Sequence, residues 1–207
     1  MVEQQSPLSV KPWLRRLPNQ LTWLRIFCIP LVVVLMLRGE AIQPDSVHIP
    51  ASVDAWAALI FSLAAITDFF DGWLARRFGV ETVLGKLLDP LADKLLVVSA
   101  IIILVEKHRL AGWIAVVLIV RDLGINAIRI SAMEDNITIS SSWIGKTKTA
   151  LLDIGIVGLI VHGQLWGIPF TIIGEFFVWF ALAASLLSAF QYLWNYAQSL
   201  RMSSGPK

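Results

Sequence analysis

The chain has 207 residues, 57% of them hydrophobic and 15% charged, with a formal net charge of +2 and a mean hydropathy of +0.71. Soluble domains carry about 25% charged residues, so the composition excludes an ordinary soluble domain and indicates a polytopic, all-α integral membrane protein. So small a net charge argues against a nucleic-acid partner, and the single cysteine, Cys28, excludes an intrachain disulfide.

Residues 1–17 are polar and basic, with Lys11, Trp13, Leu14, Arg15, Arg16 and Leu17 close together. They predict a short amphipathic segment lying on an anionic membrane surface, with a disordered tail as the alternative for residues 1–9. Residues 1–20 hold no apolar core of the kind a signal peptide needs. Six transmembrane helices are expected next, at about 19–37, 53–76, 85–105, 112–133, 148–162 and 170–196. Near twenty apolar residues suffice to cross a bilayer, and only the fifth looks short. The linkers are then 38–50, 77–84, 106–111, 134–147 and 163–169. The chain divides into an interfacial segment (1–17), a six-helix domain (18–198) and a tail (199–207).

Lysines and arginines set the orientation. Lys11, Arg15, Arg16, Arg76, Arg77, Lys86, Lys146, Lys148, Arg201 and Lys207 fall on one side, against Arg38, Lys107 and Arg109 on the other. Ten against three places both termini and the turn at 77–84 in the cytoplasm. His48, His108 and His162 are scattered and read as surface or interfacial residues. Trp13, Trp143, Trp166 and Trp194 lie near span ends, where aromatic belts form.

The second and third spans carry Asp68, Asp71, Asp89 and Asp93, four carboxylates within 26 residues. Each costs several kcal/mol in hydrocarbon, so together they need a cationic partner. On helices, Asp68 and Asp71 fall at i, i+3, while Gly85, Asp89 and Asp93 fall at i, i+4, i+8, so each set shares one face. Turned toward each other, the two faces offer hard oxygen ligands suited to Mg2+ or Mn2+. The small residues Gly72, Ala75 and Gly85 beside the acids let a ligand or a neighbouring backbone approach closely. The alternative is solvated charges neutralised by Arg76, Arg77, Lys86 and Lys94.

Asp68 to Asp93 reads D-x2-D-G-x2-A-R-x8-G-x3-D-x3-D, and this pattern resembles the signature of the CDP-alcohol phosphotransferases. The resemblance extends over roughly residues 18–195. It implies two metal ions per site on Asp68, Asp71, Asp89 and Asp93, with Asp93 also the general base. It implies a CDP-linked lipid as donor, CMP as leaving group and a homodimer. Gly72, Ala75 and Gly85 would leave room for the cytidine and diphosphate. Arg76 would contact the diphosphate, its other role being a cytoplasmic anchor. Asn19, Thr22 and Arg25, at i, i+3, i+6, are similar to the start of the family's catalytic domains and would line the nucleotide pocket. Asn19 after Pro18 also reads as a helix N-cap.

The fourth span carries Arg121, Asp122, Asn126 and Arg129, the last three at i, i+4, i+7 on one polar stripe. Asp122 can pair with Arg129 as structural glue. With Lys146 and Lys148 there are four cations and one nearby acid, an excess that suits a dianionic acceptor such as a phosphate monoester. The Ser142 to Thr149 segment and the Arg121/Arg129 pair resemble the branch of the family that makes phosphatidylglycerophosphate. This implies CDP-diacylglycerol as donor and sn-glycerol 3-phosphate as acceptor. Rival readings are inositol phosphate, serine or a lipid alcohol as acceptor and, from another class, a divalent-cation transporter. The sixth span reads as apolar throughout its middle, suited to packing against lipid or a partner.

Overall fold

Each apolar run forms one helix. The computed structural model describes residues 12–38, 51–78, 83–134, 143–165 and 167–203. Within the helices the description is of backbone alone at 12–22, 51–52, 68–78, 83–90, 130, 133–134, 143–146 and 200–203. Among the described residues there are six α-helices: α1 (Pro12–Arg38), α2 (Ala51–Phe78), α3 (Val83–Glu106), α4 (Gly112–Glu134), α5 (Trp143–Val161) and α6 (Phe170–Ser203). Between α5 and α6 a minimal antiparallel hairpin pairs β1 (Gln164–Leu165) with β2 (Ile168–Pro169), Gln164 opposite Pro169 and Leu165 opposite Ile168. Gly167 supplies the left-handed φ of +79° that this tight turn requires.

Three boundaries differ from the expected ones. Helix α1 starts at Pro12, so the described part of the basic N-terminal segment is continuous with the first helix, roughly 40 Å in all. Asn19 lies seven residues inside it and is not an N-cap; Pro12, at the first helical position, needs no N–H partner, and Pro18 removes only one backbone bond from a long helix. Helix α5 starts at Trp143, so Lys146, expected on a linker, rides on the helix's first turns together with Lys148. Helix α6 continues to Ser203, beyond the expected end at Tyr196.

Helix α1 packs against both α2 and α3, α2 also meets α5, and α4 meets α6. The core centres on Ala57, Phe61, Leu104, Ile156, Leu159 and Ile160, all fully or almost fully buried. Large apolar side chains also cover the outside, among them Phe27, Trp56, Ile102, Val120, Ile172, Leu187, Phe190 and Trp194. Soluble monomers rarely expose so much contiguous apolar surface. Among the described residues, Phe170–Ser199 is the one helix long and apolar enough to cross a membrane by length and composition, at a mean hydropathy of 1.9. Charged residues such as Arg25, Asp54, Arg121, Asp122 and Lys148 interrupt the apolar runs of other helices.

The closest packing joins α5 to α6. A Cβ on Gly158 would lie 2.7 Å from the Cα of Gly174, and one on Gly174 would lie 2.7 Å from the backbone N of Leu159. Only hydrogen fits between these backbones. At one end of the bundle a buried ion-pair group ties three elements together. Arg109 NH2 donates to Asp54 Oδ2 at 2.8 Å, Arg109 NH1 donates to the carbonyl of Ile160 at 2.8 Å, and Lys107 Nζ lies 3.8 Å from Asp54 Oδ1. Lys107 and Arg109, expected as loop cations facing solvent, are instead drawn in by the buried carboxylate. His108 and His162 are exposed, as expected of surface residues, while His48 lies outside the described residues.

Gly174→Ala should therefore lower stability by about 1–3 kcal/mol through overpacking. Gly124→Ala in α4, where a Cβ meets nothing within 4 Å, should be neutral or raise it by up to about 1 kcal/mol. Thermal unfolding of both variants in detergent micelles checks this contrast, and equal effects would contradict the packing described.

Candidate active site

The polar stripe of α4 turns inward. Arg121, Asp122, Asn126 and Arg129 all line a cavity of about 370 Å³ bounded by α3, α4, α5 and α6. That volume lies in the range of small-molecule sites. Helix α3 contributes Asp93 and Lys94, α5 contributes Lys148 and Thr149, and α6 contributes Ser188 and Tyr192. Apolar walls come from Val97, Ile101, Leu118 and Leu152. The lining thus carries four cations (Lys94, Arg121, Arg129, Lys148) against two acids (Asp93, Asp122).

Asp122 organises these charges. Its Oδ1 accepts from Arg121 NH1 at 2.8 Å and also from Lys148 Nζ, which links α4 to α5. Arg121 Nε meanwhile donates to the carbonyl of Ser185 at 2.9 Å, which links α4 to α6. The pairing of Asp122 with Arg129, one possibility the sequence offered, is not seen among the described residues; Lys148 and Arg121 share its Oδ1. Arg129 instead lies over the ring of Tyr192, its guanidinium carbon 5.9 Å from the ring centroid, a cation–π distance. Lys148 is 8% exposed and the Arg121 side chain 11% exposed, so both charges are held out of bulk water.

Of the expected site residues, the structure brings Asp93, Arg121, Arg129 and Lys148 to one cavity. Asp93 is half-buried there. Arg25 is 2% exposed within α1 and does not line this cavity. Asn19, Thr22, Asp68, Asp71, Gly72, Ala75, Arg76, Gly85, Asp89 and Lys146 all lie on helical backbone, and their side chains fall outside the described residues. Among the described residues no three metal-ligating side chains cluster, Asp93 being the one member of the acidic set they include. Its carboxylate is the hard oxygen donor that a divalent ion takes.

Sequence reasoning missed the α6 wall. Ser185, Ser188 and Tyr192 fall at i, i+3, i+7, one face of a helix, and all three are buried. The i, i+3, i+7 spacing was the available signal, diluted by the apolar residues around it. The sixth helix is therefore not apolar throughout its middle: it closes the polar cavity with one face and shows Leu186, Leu187, Phe190 and Trp194 on the other.

Comparison with known proteins gives a consistent picture. The family model described as CDP-alcohol phosphatidyltransferase matches residues 15–187. The chain is 31% identical, over 194 residues, to a CDP-diacylglycerol–glycerol-3-phosphate 3-phosphatidyltransferase of Bacillus subtilis strain 168, covering 91% of this chain and 98% of the relative. Proteins of the same name from Salmonella choleraesuis strain SC-B67 and Escherichia coli K12 are 36% and 35% identical over 182 residues, covering 86% of this chain and 92% of each relative.

The shared carboxylate makes a non-additive pair. Asp122→Asn should cost about 1–2 kcal/mol, less than for a fully buried pair because the Asp122 side chain is 36% exposed. The double variant Asp122→Asn/Lys148→Met should be less destabilised than the sum of the single changes, since the second removes the cation that the first strands. Strict additivity in a double-mutant cycle would show that the two side chains are not coupled.

Proposed function

The chain belongs to the CDP-alcohol phosphatidyltransferase family, and from that membership we propose that it transfers a phosphatidyl group from CDP-diacylglycerol to sn-glycerol 3-phosphate. The products are phosphatidylglycerophosphate and CMP. The protein is a membrane-bound transferase. The observation that carries the choice of acceptor is the cavity in which Lys94, Arg121, Arg129 and Lys148 outnumber the acids at the place where Asp93 enters. Fixed positive charge in an apolar surround suits a dianionic phosphate monoester and penalises a neutral alcohol. Inositol phosphate is a phosphate monoester too, and the names of the relatives favour glycerol 3-phosphate over it.

Helix α5 adds support. Its first turn carries no acid to complement the helix dipole, and Lys146 and Lys148 lie in its first two turns, where cations are ordinarily unfavourable. A bound anion offsets that arrangement. The same cavity argues against a divalent-cation transporter, since an excess of lysine and arginine repels the proposed cargo.

In the proposed mechanism Arg121, Arg129, Lys146 and Lys148 hold the acceptor phosphate and aim its free hydroxyl toward Asp93. The Asp93 carboxylate accepts the hydroxyl proton as the oxygen forms a bond to the phosphorus of the phosphatidyl group. The bond from that phosphorus to the CMP oxygen breaks. Asp68, Asp71, Asp89 and Asp93 would hold two divalent ions, Mg2+ or Mn2+, whose chemistry is to neutralise the donor diphosphate and the charge leaving on CMP. Asn19, Thr22, Arg25, Gly72, Ala75, Arg76 and Gly85 would form the donor site. The catalytic domain is residues 18–198, spanning the membrane six times as a homodimer. Its termini and site face the cytoplasm, a sidedness that rests on the ten-to-three division of basic residues.

Purified protein given CDP-diacylglycerol should release CMP with sn-glycerol 3-phosphate and not with serine, inositol phosphate or a lipid alcohol, and a chelator should stop the release. Asp93→Asn should lower turnover at least a thousandfold, allowing for both its roles, while the folded variant still binds donor. Lys148→Met should raise the KM for glycerol 3-phosphate by roughly tenfold to a hundredfold, the loss of one charge-assisted hydrogen bond. Preference for another acceptor would overturn the substrate assignment, and substantial turnover by Asp93→Asn would remove that residue as the base.

A further inference from the structure

Tyr192 lines the cavity, and the reaction as described leaves it without a task. It is 8% exposed, and its hydroxyl makes no hydrogen bond among the described residues. A buried hydroxyl without a partner is costly to keep, and a phenylalanine would fill the same space without that cost. The ring has one visible role, as the face over which the Arg129 guanidinium lies at 5.9 Å, and phenylalanine would serve that role too. What distinguishes tyrosine here is therefore the hydroxyl alone, in a polar cavity beside a half-buried arginine. Nearby groups do not claim it. Arg121 and Lys148 share Asp122 Oδ1, Arg121 reaches the Ser185 carbonyl, and no described residue bonds the Tyr192 hydroxyl.

We propose that the Tyr192 hydroxyl donates a hydrogen bond to the phosphate of the acceptor, next to Arg129, and so positions the acceptor and raises selectivity for a phosphorylated alcohol. The inference rests on the acceptor reading above and deepens it. Helix α6 thereby becomes a wall of the substrate site as well as a membrane helix, with Ser188 one turn away on the same face. A phosphate bridging Arg129 and Tyr192 satisfies both groups at once, and the aromatic ring holds the guanidinium beside that position. Tyr192 is on this account a binding and positioning residue: it takes no proton from the reacting hydroxyl.

Tyr192→Phe tests the hydroxyl without disturbing the ring. With purified full-length protein and saturating CDP-diacylglycerol, the variant should show a KM for glycerol 3-phosphate about tenfold higher. Its kcat should stay within about twofold and its KM for the CDP-lipid should not change. Its Tm without substrate should equal or exceed that of the parent, because the orphaned hydroxyl is gone; a purely structural role predicts a lower Tm and no KM split. An unchanged KM for glycerol 3-phosphate, or an equal rise in both KM values, would overturn the proposal. If the parent protein itself released no CMP with glycerol 3-phosphate, the acceptor reading would fail, and inorganic phosphate would then decide Tyr192 separately. Thermal stabilisation of the parent by phosphate that is lost in Tyr192→Phe upholds the contact, and equal stabilisation of both proteins refutes it.

Discussion

A single carboxylate holds the cationic end of this bundle together. Asp122 takes Arg121 from its own helix and Lys148 from α5 on one oxygen, while Arg121 reaches across to a backbone carbonyl of α6. Charges sequestered among apolar helices need such a counter-charge, since each alone costs several kcal/mol. The arrangement fixes three helices around one cavity and still leaves the lining with more cations than acids. That surplus is the feature that a dianionic ligand would complete.

The remainder of the bundle keeps this end in register. Glycines at 158 and 174 bring α5 and α6 into backbone contact, and the same two helices supply Lys148 and Tyr192 to the cavity. Near the start of α4, Asp54 draws in Arg109 and Lys107 and ties α2 to the turn before α4 and to the end of α5. The two ends are electrostatic opposites in purpose. Asp54 sits 2% exposed among its cations as a closed structural group, whereas the Asp122 group borders a cavity large enough to admit a small phosphorylated alcohol. Asp93 reaches that cavity from α3, the helix on which the acidic signature ends. Donor chemistry on α2 and α3 and acceptor binding on α4, α5 and α6 would thus meet along one side chain.

Most of the helical framework was legible in the sequence, because runs of apolar residues near bilayer length have few other solutions. Helix ends were less so. Pro18 and Asn19 read as a start signal yet lie inside α1, since two turns of helix precede them. The segment just before Lys148 read as a linker and is the opening of α5, whose Lys148 lines a polar cavity. The α4 stripe was legible from its i, i+4, i+7 spacing, but its pairing was not. Arg129 was the partner the spacing offered for Asp122; the partners that form are Arg121 beside it and Lys148, 26 residues away, which only packing brings near. Tyr192 and Ser188 were hidden for the opposite reason: three polar residues in a long apolar helix scarcely alter its average, and their common face matters only once α4 lies beside it.

The central claim is that this cation-lined cavity receives the phosphate of the acceptor. Titrating glycerol 3-phosphate calorimetrically into the purified protein, without CDP-lipid, measures that step alone. The account predicts saturable binding at one site per chain, abolished in the folded Arg129→Ala/Lys148→Met variant. Binding of undiminished affinity by that variant would contradict it.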